Sequence, residues 1–210
     1  RFRLSHLEQS TINNALEEAL IARFDEVAAG LDVVIFSDFS YGCITNKMID
    51  HMSRVMSKKG GVLAADSQSS SQLGDITRFT KMDLISPTER EARLCLRNFD
   101  DGLVEIAEKI RGQIEARNVL LSVGSEGLLV HTKDMENDRV VTDRLPAFNR
   151  LPIDVSGAGD ALLVAASMAI ATGASIWEAG VVGSIAARVQ VSRRGNQPIS
   201  IDEMKEEITS

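Results

Sequence analysis

Short runs of uninterrupted apolar residues constrain the fold of this 210-residue chain more than any other feature. The segments "VVIF" at 33–36 and "GVLAA" at 61–65 lack the alternation of apolar and polar residues that is expected of a strand with one solvent-exposed face. Such runs are typical of strands buried on both faces of a parallel sheet, where crossover helices cover both sides. The sequence therefore predicts an α/β fold with a mostly parallel central sheet flanked by helices on both faces.

Helical patterns separate these runs and supply the alternation that this fold requires. Helices are predicted over about 11–29 with Ser10 as the N-cap, over 45–61, 88–98, 102–117, 158–172 and 175–191, and after a capping box of Ser200 and Glu203. Further strands are predicted at 82–86, 118–124 and 127–132. No helix or strand is predicted in the polar stretch at 133–148, and the whole chain is interpreted as one domain.

Composition excludes several classes of protein. A net charge of −7 and a pI near 5.1 argue against binding to nucleic acid or to an anionic membrane surface. The uncharged run at 161–177 is short for a membrane span. Cys43 and Cys95 lie far apart, outside any zinc-binding spacing, which is typical of reduced thiols. We therefore expect a cytoplasmic protein with a small-molecule or protein partner.

The segment "SGAGD" at 156–160 is the strongest candidate for chemistry. Gly157, Ala158 and Gly159 let backbone amides turn inward at the start of a helix, an arrangement that suits a bound anion. A dinucleotide-binding motif is excluded, because Leu162 occupies the position where glycine or alanine is required. A Walker loop is excluded because no Gly-Lys-Ser/Thr follows.

Two features of the sequence leave alternatives open. Asp160 at the helix start is either a residue stabilised by the helix dipole, worth about 0.3–1 kcal/mol, or a general base beside an anion site. The serine-rich segment at 67–75 is either a solvated connection or a ligand-binding loop, because it follows the carboxyl end of a predicted strand.

Four segments together resemble the ribokinase-like (PfkB) family of sugar kinases. "IDVSGAGDALLVAASMAIATG" resembles the C-terminal signature of the family, "DLISPTEREA" its magnesium segment, and "LLSVGSEGLLV" its nucleotide turn. "VVIFSDFSYG" resembles a strand end of the heptose-phosphate kinase branch. The segments occur in the family's order, and the resemblance spans about residues 30–197.

The resemblance implies an ATP-dependent kinase that phosphorylates a hydroxyl of a sugar or sugar phosphate. In that family pattern Asp160 is the base, the amides of Gly157, Ala158 and Gly159 form the anion hole, and Glu91 organises Mg²⁺ through water. The ATP-site positions are Ser122, Gly124 and Gly127, with Ala187 and Asn196 bordering the adenine and Asp154 holding the loop beside a monovalent cation such as K⁺.

The chain also departs from the family pattern. Thr88 replaces the asparagine of the magnesium segment, Val155 replaces a threonine, and lysines expected near Tyr41 and after Asp66 are absent. The family's N-terminal third, with a small β-lid that often dimerises, has no counterpart. Residues 1–210 are therefore expected to be the C-terminal two-thirds of a larger kinase domain, with a homodimer formed through the lid. The alternative function is a degenerate kinase domain that binds nucleotide without transferring phosphate.

Overall fold

Six strands, taken in chain order, form one sheet in the part of the chain that the structure describes. The structure, a computed structural model, describes residues 10–68, 74–134, 137–149 and 151–209. The strands are β1 (Val33–Asp38), β2 (Val62–Ser67), β3 (Leu84–Ile85), β4 (Asn118–Ser122), β5 (Leu128–Asp134) and β6 (Arg139–Leu145). Strands β1 to β4 pair in parallel, and β5 and β6 continue the sheet antiparallel. The predicted mostly parallel sheet is confirmed.

Seven α-helices occur in the described residues. They are α1 (Asn14–Ala28), α2 (Asn46–Lys59), α3 (Glu89–Leu96), α4 (Leu103–Ile114), α5 (Ala158–Ala171), α6 (Ile176–Val191) and α7 (Ile201–Thr209). Helix α7 packs on α6. No helix in these ranges combines the length and the apolarity that a bilayer crossing requires.

Two hydrophobic clusters occupy the two faces of the sheet. Leu63, Ala65 and Val119 belong to the cluster that includes side chains of α1, α2 and α4, whereas Ala64 and Leu120 belong to the cluster with α5 and α6. Neighbouring residues of one strand therefore point to opposite cores, as the period of two requires. This explains why the inner strands read as continuous apolar runs.

Small residues let α5 and α6 approach closely over the second of these faces. A Cβ atom at Gly183 would stand 2.9 Å from the Leu162 carbonyl oxygen and 3.3 Å from the Ala166 Cβ. Ala166 and Gly183 are both buried. The glycine is thus required by the approach of a neighbouring backbone, which fixes α5 against α6 and so fixes the start of α5.

Two sequence-based predictions are wrong. Helix α1 begins at Asn14 rather than after Ser10, because the Asn13 side chain accepts a hydrogen bond from the Leu16 N–H at 2.9 Å. The stretch at 133–148 contains strand β6, paired antiparallel with β5. Its side chains are mostly exposed, so it lacks the apolar run that marks the inner strands. The chain before Ser10 and the serine-rich residues 69–73 lie outside the described residues.

Candidate active site

The loop before α5 is built around a glycine that no other residue could replace without strain. Gly157 has a left-handed backbone with φ of 78°, and a Cβ there would lie 2.3 Å from the Asn196 Oδ1. Within the described residues no side chain caps α5. The Ala158 N–H donates to the Val155 carbonyl at 3.3 Å, whereas the N–H groups of Gly157 and Gly159 have no acceptor among the described residues and so remain available to a bound anion.

Asp154 joins this loop to the segment that follows α6. One carboxylate oxygen accepts the Ser156 N–H and the other accepts the Gly195 N–H, both at 3.0 Å. These donors, Ser156 first, lower the pKa of Asp154 to about 2. The buried Gln190 amide adds hydrogen bonds to the carbonyls of Ser156 and Gly195, also at 3.0 Å. The structure thus brings Asp154, Gly157 and Asn196 together.

Asp160 lies in the first turn of α5 and is tied to the end of β2. Its Oδ1 accepts a hydrogen bond of 3.0 Å from the Gln68 Nε2. Asp66 is only 6% exposed, and its Oδ1 has no hydrogen-bond partner among the described residues. Burial, followed by the charges of Glu91 and Asp160, raises the pKa of Asp66 to about 7.

Asp38 closes the same edge of the sheet at the end of β1. This buried carboxylate accepts a hydrogen bond from Arg78 Nη1 at 3.1 Å and another from the Ser40 N–H at 3.0 Å. The partly buried Arg78 guanidinium thus balances the negative charge of the Asp38 carboxylate. The Asp38 carbonyl in turn accepts the N–H of Gln68 at 2.9 Å.

Glu91 reaches the site from the first turn of α3, where it also forms a capping box. Its Oε2 accepts hydrogen bonds from the Thr88 N–H at 2.9 Å and from the Thr88 hydroxyl at 2.7 Å. Thr88 forms an isolated parallel bridge with Ser122, and the Ser122 N–H donates to the Pro87 carbonyl at 3.0 Å. The predicted magnesium segment therefore starts beside the end of β4, where the nucleotide turn begins.

The turn between β4 and β5 depends on two glycines with positive φ. Gly124 has φ of 57° with open space at its Cβ position, whereas Gly127 has φ of 102°. A Cβ at Gly127 would lie 2.1 Å from the Leu145 carbonyl oxygen. This turn therefore packs against the end of β6, and its exposed edge is the backbone around Gly124.

The order of these segments agrees with a single family. The profile of the pfkB family carbohydrate kinases matches residues 6–203. This chain belongs to the pfkB family of carbohydrate kinases. Its fold is accordingly the ribokinase-like fold that the sequence predicted.

Individual relatives place the chain within the pfkB family. It is 24% identical over 208 residues to the bifunctional protein HldE of Nitratiruptor sp. and 26% identical over 210 residues to that of Geotalea uraniireducens. The alignments cover 97% and 98% of this chain but only 42% and 41% of those proteins. The chain thus spans about two fifths of the length of these curated relatives.

Solved structures show the same fold. Phosphofructokinase-2 from Escherichia coli, in complex with potassium, superposes with a TM-score of 0.76 at 16% identity over 95% of this chain and 63% of that one. Ribokinase from Thermotoga maritima gives a TM-score of 0.64 at 20% identity over 85% and 57% of the two chains.

A cavity of about 460 Å³ and a second of about 730 Å³ occur in this pfkB-family chain, and only the larger one reaches Asp160. The larger cavity lies between α5, α6 and α7 and extends from Gly157 and Asp160 past Asn196 to Met204. Ala187 is not in its lining, since that side chain packs against the core cluster of α5 and α6, and Ala186 faces the cavity instead.

Two residues of the site, Asp66 and Gln190, were not among the functional candidates from the sequence. Asp66 follows the rule that ligand-binding side chains lie at the carboxyl ends of parallel strands, the same signal that marked the 67–75 segment with Gln68 as a possible ligand-binding loop. Gln190 gives no such signal, because a polar residue near the end of a helix is common and its buried contacts are visible only in the fold.

Proposed function

We propose that this chain carries the phosphoryl-transfer site of a carbohydrate kinase that uses ATP. In the reaction Asp160 removes the proton from a hydroxyl of a sugar or sugar phosphate. The alcohol oxygen forms a bond to the γ-phosphorus as the bond between that phosphorus and the β,γ-bridging oxygen breaks, and ADP leaves. The amides of Gly157, Ala158 and Gly159 stabilise the charge on the transferring group.

The position of Asp160 is the observation that carries this proposal. Its carboxylate lies in the first turn of α5, beside the N–H groups of Gly157 and Gly159, which have no acceptor among the described residues. Its Oδ2 takes no hydrogen bond from the described residues, so that oxygen is available to an alcohol. Gly159 has open space where a Cβ would stand, which leaves room for a ligand close to the backbone.

The side chains present fit a magnesium ion that is bound mainly through water and phosphate. Mg²⁺ prefers oxygen ligands and retains much of its hydration shell, and when bound it neutralises phosphate charge. No group of three or more His, Cys, Asp or Glu side chains within the described ranges could hold a metal alone. Glu91 and the unpartnered, buried Oδ1 of Asp66 are the oxygens that would hold the hydrated ion.

The Asp160→Asn variant tests the proposal. The amide keeps the size of the side chain but cannot accept the proton, so kcat should fall by about 10²- to 10⁴-fold. ADP release, coupled to a dye or NADH readout, is measured over a panel of sugars and sugar phosphates. Turnover close to that of the parent protein would refute Asp160 as the base.

Asp202→Asn is the matched control, because Asp202 also lies in the first turn of a helix, α7, and is exposed. Both variants lose the interaction of a carboxylate with a helix dipole, which changes stability by about 0.3–1 kcal/mol. Only Asp160→Asn should lose turnover. If the two variants behaved alike, Asp160 would be a helix-stabilising residue and nothing more.

A nucleotide-binding module without transferase activity is the second candidate. The observation that favours it is the capping box, in which Glu91 stabilises the start of α3 through Thr88. Calorimetry with ATP and Mg²⁺, together with ADP release over the same panel, separates the two functions. Binding without sugar-dependent turnover would favour the module.

Several wider statements about this protein are part of the proposal. We propose that residues 1–210 form part of a larger kinase domain, because the chain covers 63% of phosphofructokinase-2 and 57% of the ribokinase. A cytoplasmic location is part of the same proposal. The relatives called bifunctional protein HldE support a heptose phosphate as the acceptor class. The complex of phosphofructokinase-2 with potassium supports a monovalent cation near Asp154. A homodimer formed through a lid stays a prediction.

A further inference from the structure

Gln68 ties the end of β2 to the start of α5. Its Nε2 donates to Asp160 Oδ1 at 3.0 Å, and the side chain also lowers the pKa of Asp66 against the larger effect of burial. The Asp160 carboxylate can only accept from this amide, so the NH₂ group faces it. The orientation of the amide is thus fixed by this acceptor.

The backbone of Gln68 is held as firmly as its side chain. Its N–H donates to the Asp38 carbonyl at 2.9 Å, directly after the register pair of Asp38 and Ser67 that ends the β1–β2 ladder. The chain therefore leaves the sheet at Gln68, with the backbone of this residue fixed by the hydrogen bond to β1. The Gln68 side chain reaches the start of α5, which packs over the same two strands.

Gln68 lies among acidic side chains. Asp66 from β2 is influenced by Asp160 from α5 and Glu91 from α3, and these charges add to burial in raising the pKa of Asp66. The nearby cation Arg78 forms an ion pair with Asp38. The Gln68 amide is thus a neutral donor to Asp160 beside other acids.

The geometry points to Gln68 as the positioning residue of the proposed general base: it holds Asp160 Oδ1, so that Oδ2 is presented to the acceptor hydroxyl. This inference rests on the proposed function. Gln68 touches no reacting atom in the proposed step, and it acts by fixing the orientation of the carboxylate.

The Gln68→Met variant removes both donors at nearly constant size and tests this role. Loss of a hydrogen bond to a charged group should lower kcat by about 10- to 100-fold. The KM for MgATP should stay within about twofold, because the base does not bind the nucleotide. The acid limb of the kcat/KM profile should move to higher pH, as the acids lose a donor.

Two further variants make the result specific. Gln68→Lys keeps a donor and adds a positive charge, so its acid limb should move to lower pH than that of the parent protein. Gln113→Met makes the same change as the first variant at an exposed position on α4 and should match the parent in every measurement. A Gln68→Met enzyme with parental kcat and an unmoved acid limb would overturn the inference.

Carbon NMR of the protein labelled at aspartate side-chain carboxyls gives a readout that needs no acceptor. Asp160→Asn assigns the Asp160 carboxyl signal. Gln68→Met should change the chemical shift of that signal at fixed pH, because the carboxylate loses its amide donor, whereas Gln113→Met should leave it unchanged. An unchanged signal in Gln68→Met would overturn the positioning role even in an active enzyme. A changed signal in a protein without sugar-dependent turnover would support the contact and refute the proposed function.

Discussion

The carboxyl group of Asp66 gives the fold a pH dependence of its own. Its pKa is raised from 3.8 to about 7 in the folded chain, chiefly by burial. A raised pKa means that the folded state holds the proton more tightly than the unfolded chain does. The stability from this group is therefore complete below pH 3.8 and is lost as the pH rises through about 7.

Asp66→Asn should remove this dependence. Between pH 5 and pH 8 the parent protein should lose on the order of 2 kcal/mol of unfolding free energy relative to the variant. Urea unfolding of both proteins at these two pH values measures the difference. Parallel stability curves for the two proteins would show that Asp66 titrates as an exposed carboxyl.

Single residues differ in how much of their role the sequence discloses. Gly157 and Asp160 stand in a motif whose local backbone is sufficient to identify the loop. Gln68 and Asp160 are 92 positions apart, and only the packing of α5 over β1 and β2 brings the amide to the acid. Local sequence patterns do not indicate which distant residues will be in contact, so the hydrogen bond between Gln68 and Asp160 was not predictable.

Among the elements, the pair α5 and α6 depends most on small residues. Gly183→Ala should destabilise the protein by about 1–3 kcal/mol, because the new methyl would meet the Leu162 carbonyl at 2.9 Å and two tightly packed helices would have to separate. Chemical denaturation measures the change in unfolding free energy.

Gly112→Ala is the control for that variant. Gly112 lies in α4, has no atom within 4 Å of its Cβ position, and is exposed. The added methyl should stabilise the protein by about 0.5–1 kcal/mol, because alanine reduces the conformational entropy of the unfolded chain. Equal effects at these two glycine positions would contradict the close packing of α5 on α6.

Elements buried on both sides were predictable, and exposed elements were less so. The runs at 33–36 and 61–65 correspond to β1 and β2 because a fully buried strand must be apolar throughout. Strand β6 was missed because an outer antiparallel strand needs no such run, and pairing with β5 satisfies its backbone. The start of α1 was missed because Ser10 and Asn13 are both suitable caps, and only hydrogen-bond geometry distinguishes them.

At the level of the whole molecule, binding of MgATP should increase the free energy of unfolding. MgATP at about 100 times its Kd should stabilise the folded chain by about 2.7 kcal/mol, which for a protein of this size raises Tm by about 5–10 °C. Scanning fluorimetry over a range of MgATP concentrations measures this shift. Asp160→Asn should keep it, since the base does not hold the nucleotide. No shift at any concentration would contradict both candidate functions.

The overall arrangement followed from alternation of strands and helices, since consecutive parallel strands joined by short crossovers lie side by side. The order β1 to β6 in space is therefore the order in sequence. The reversal of direction at β5 has a different cause. It follows from the tight turn at Gly124 and Gly127, which leaves no room for a crossover helix.

The double hydrogen bond of Asp154 has a consequence for how such a protein can change over time. This carboxylate and the Gln190 amide join the residues before α5 to those after α6 through main-chain groups of Ser156 and Gly195. A side-chain change at Ser156 keeps these partners, whereas loss of Asp154 or Gln190, or a different path of either backbone segment, leaves donors or acceptors unmatched. A chimaera that takes the glycine loop from another pfkB-family kinase therefore needs a turn after α6 whose backbone follows the same path.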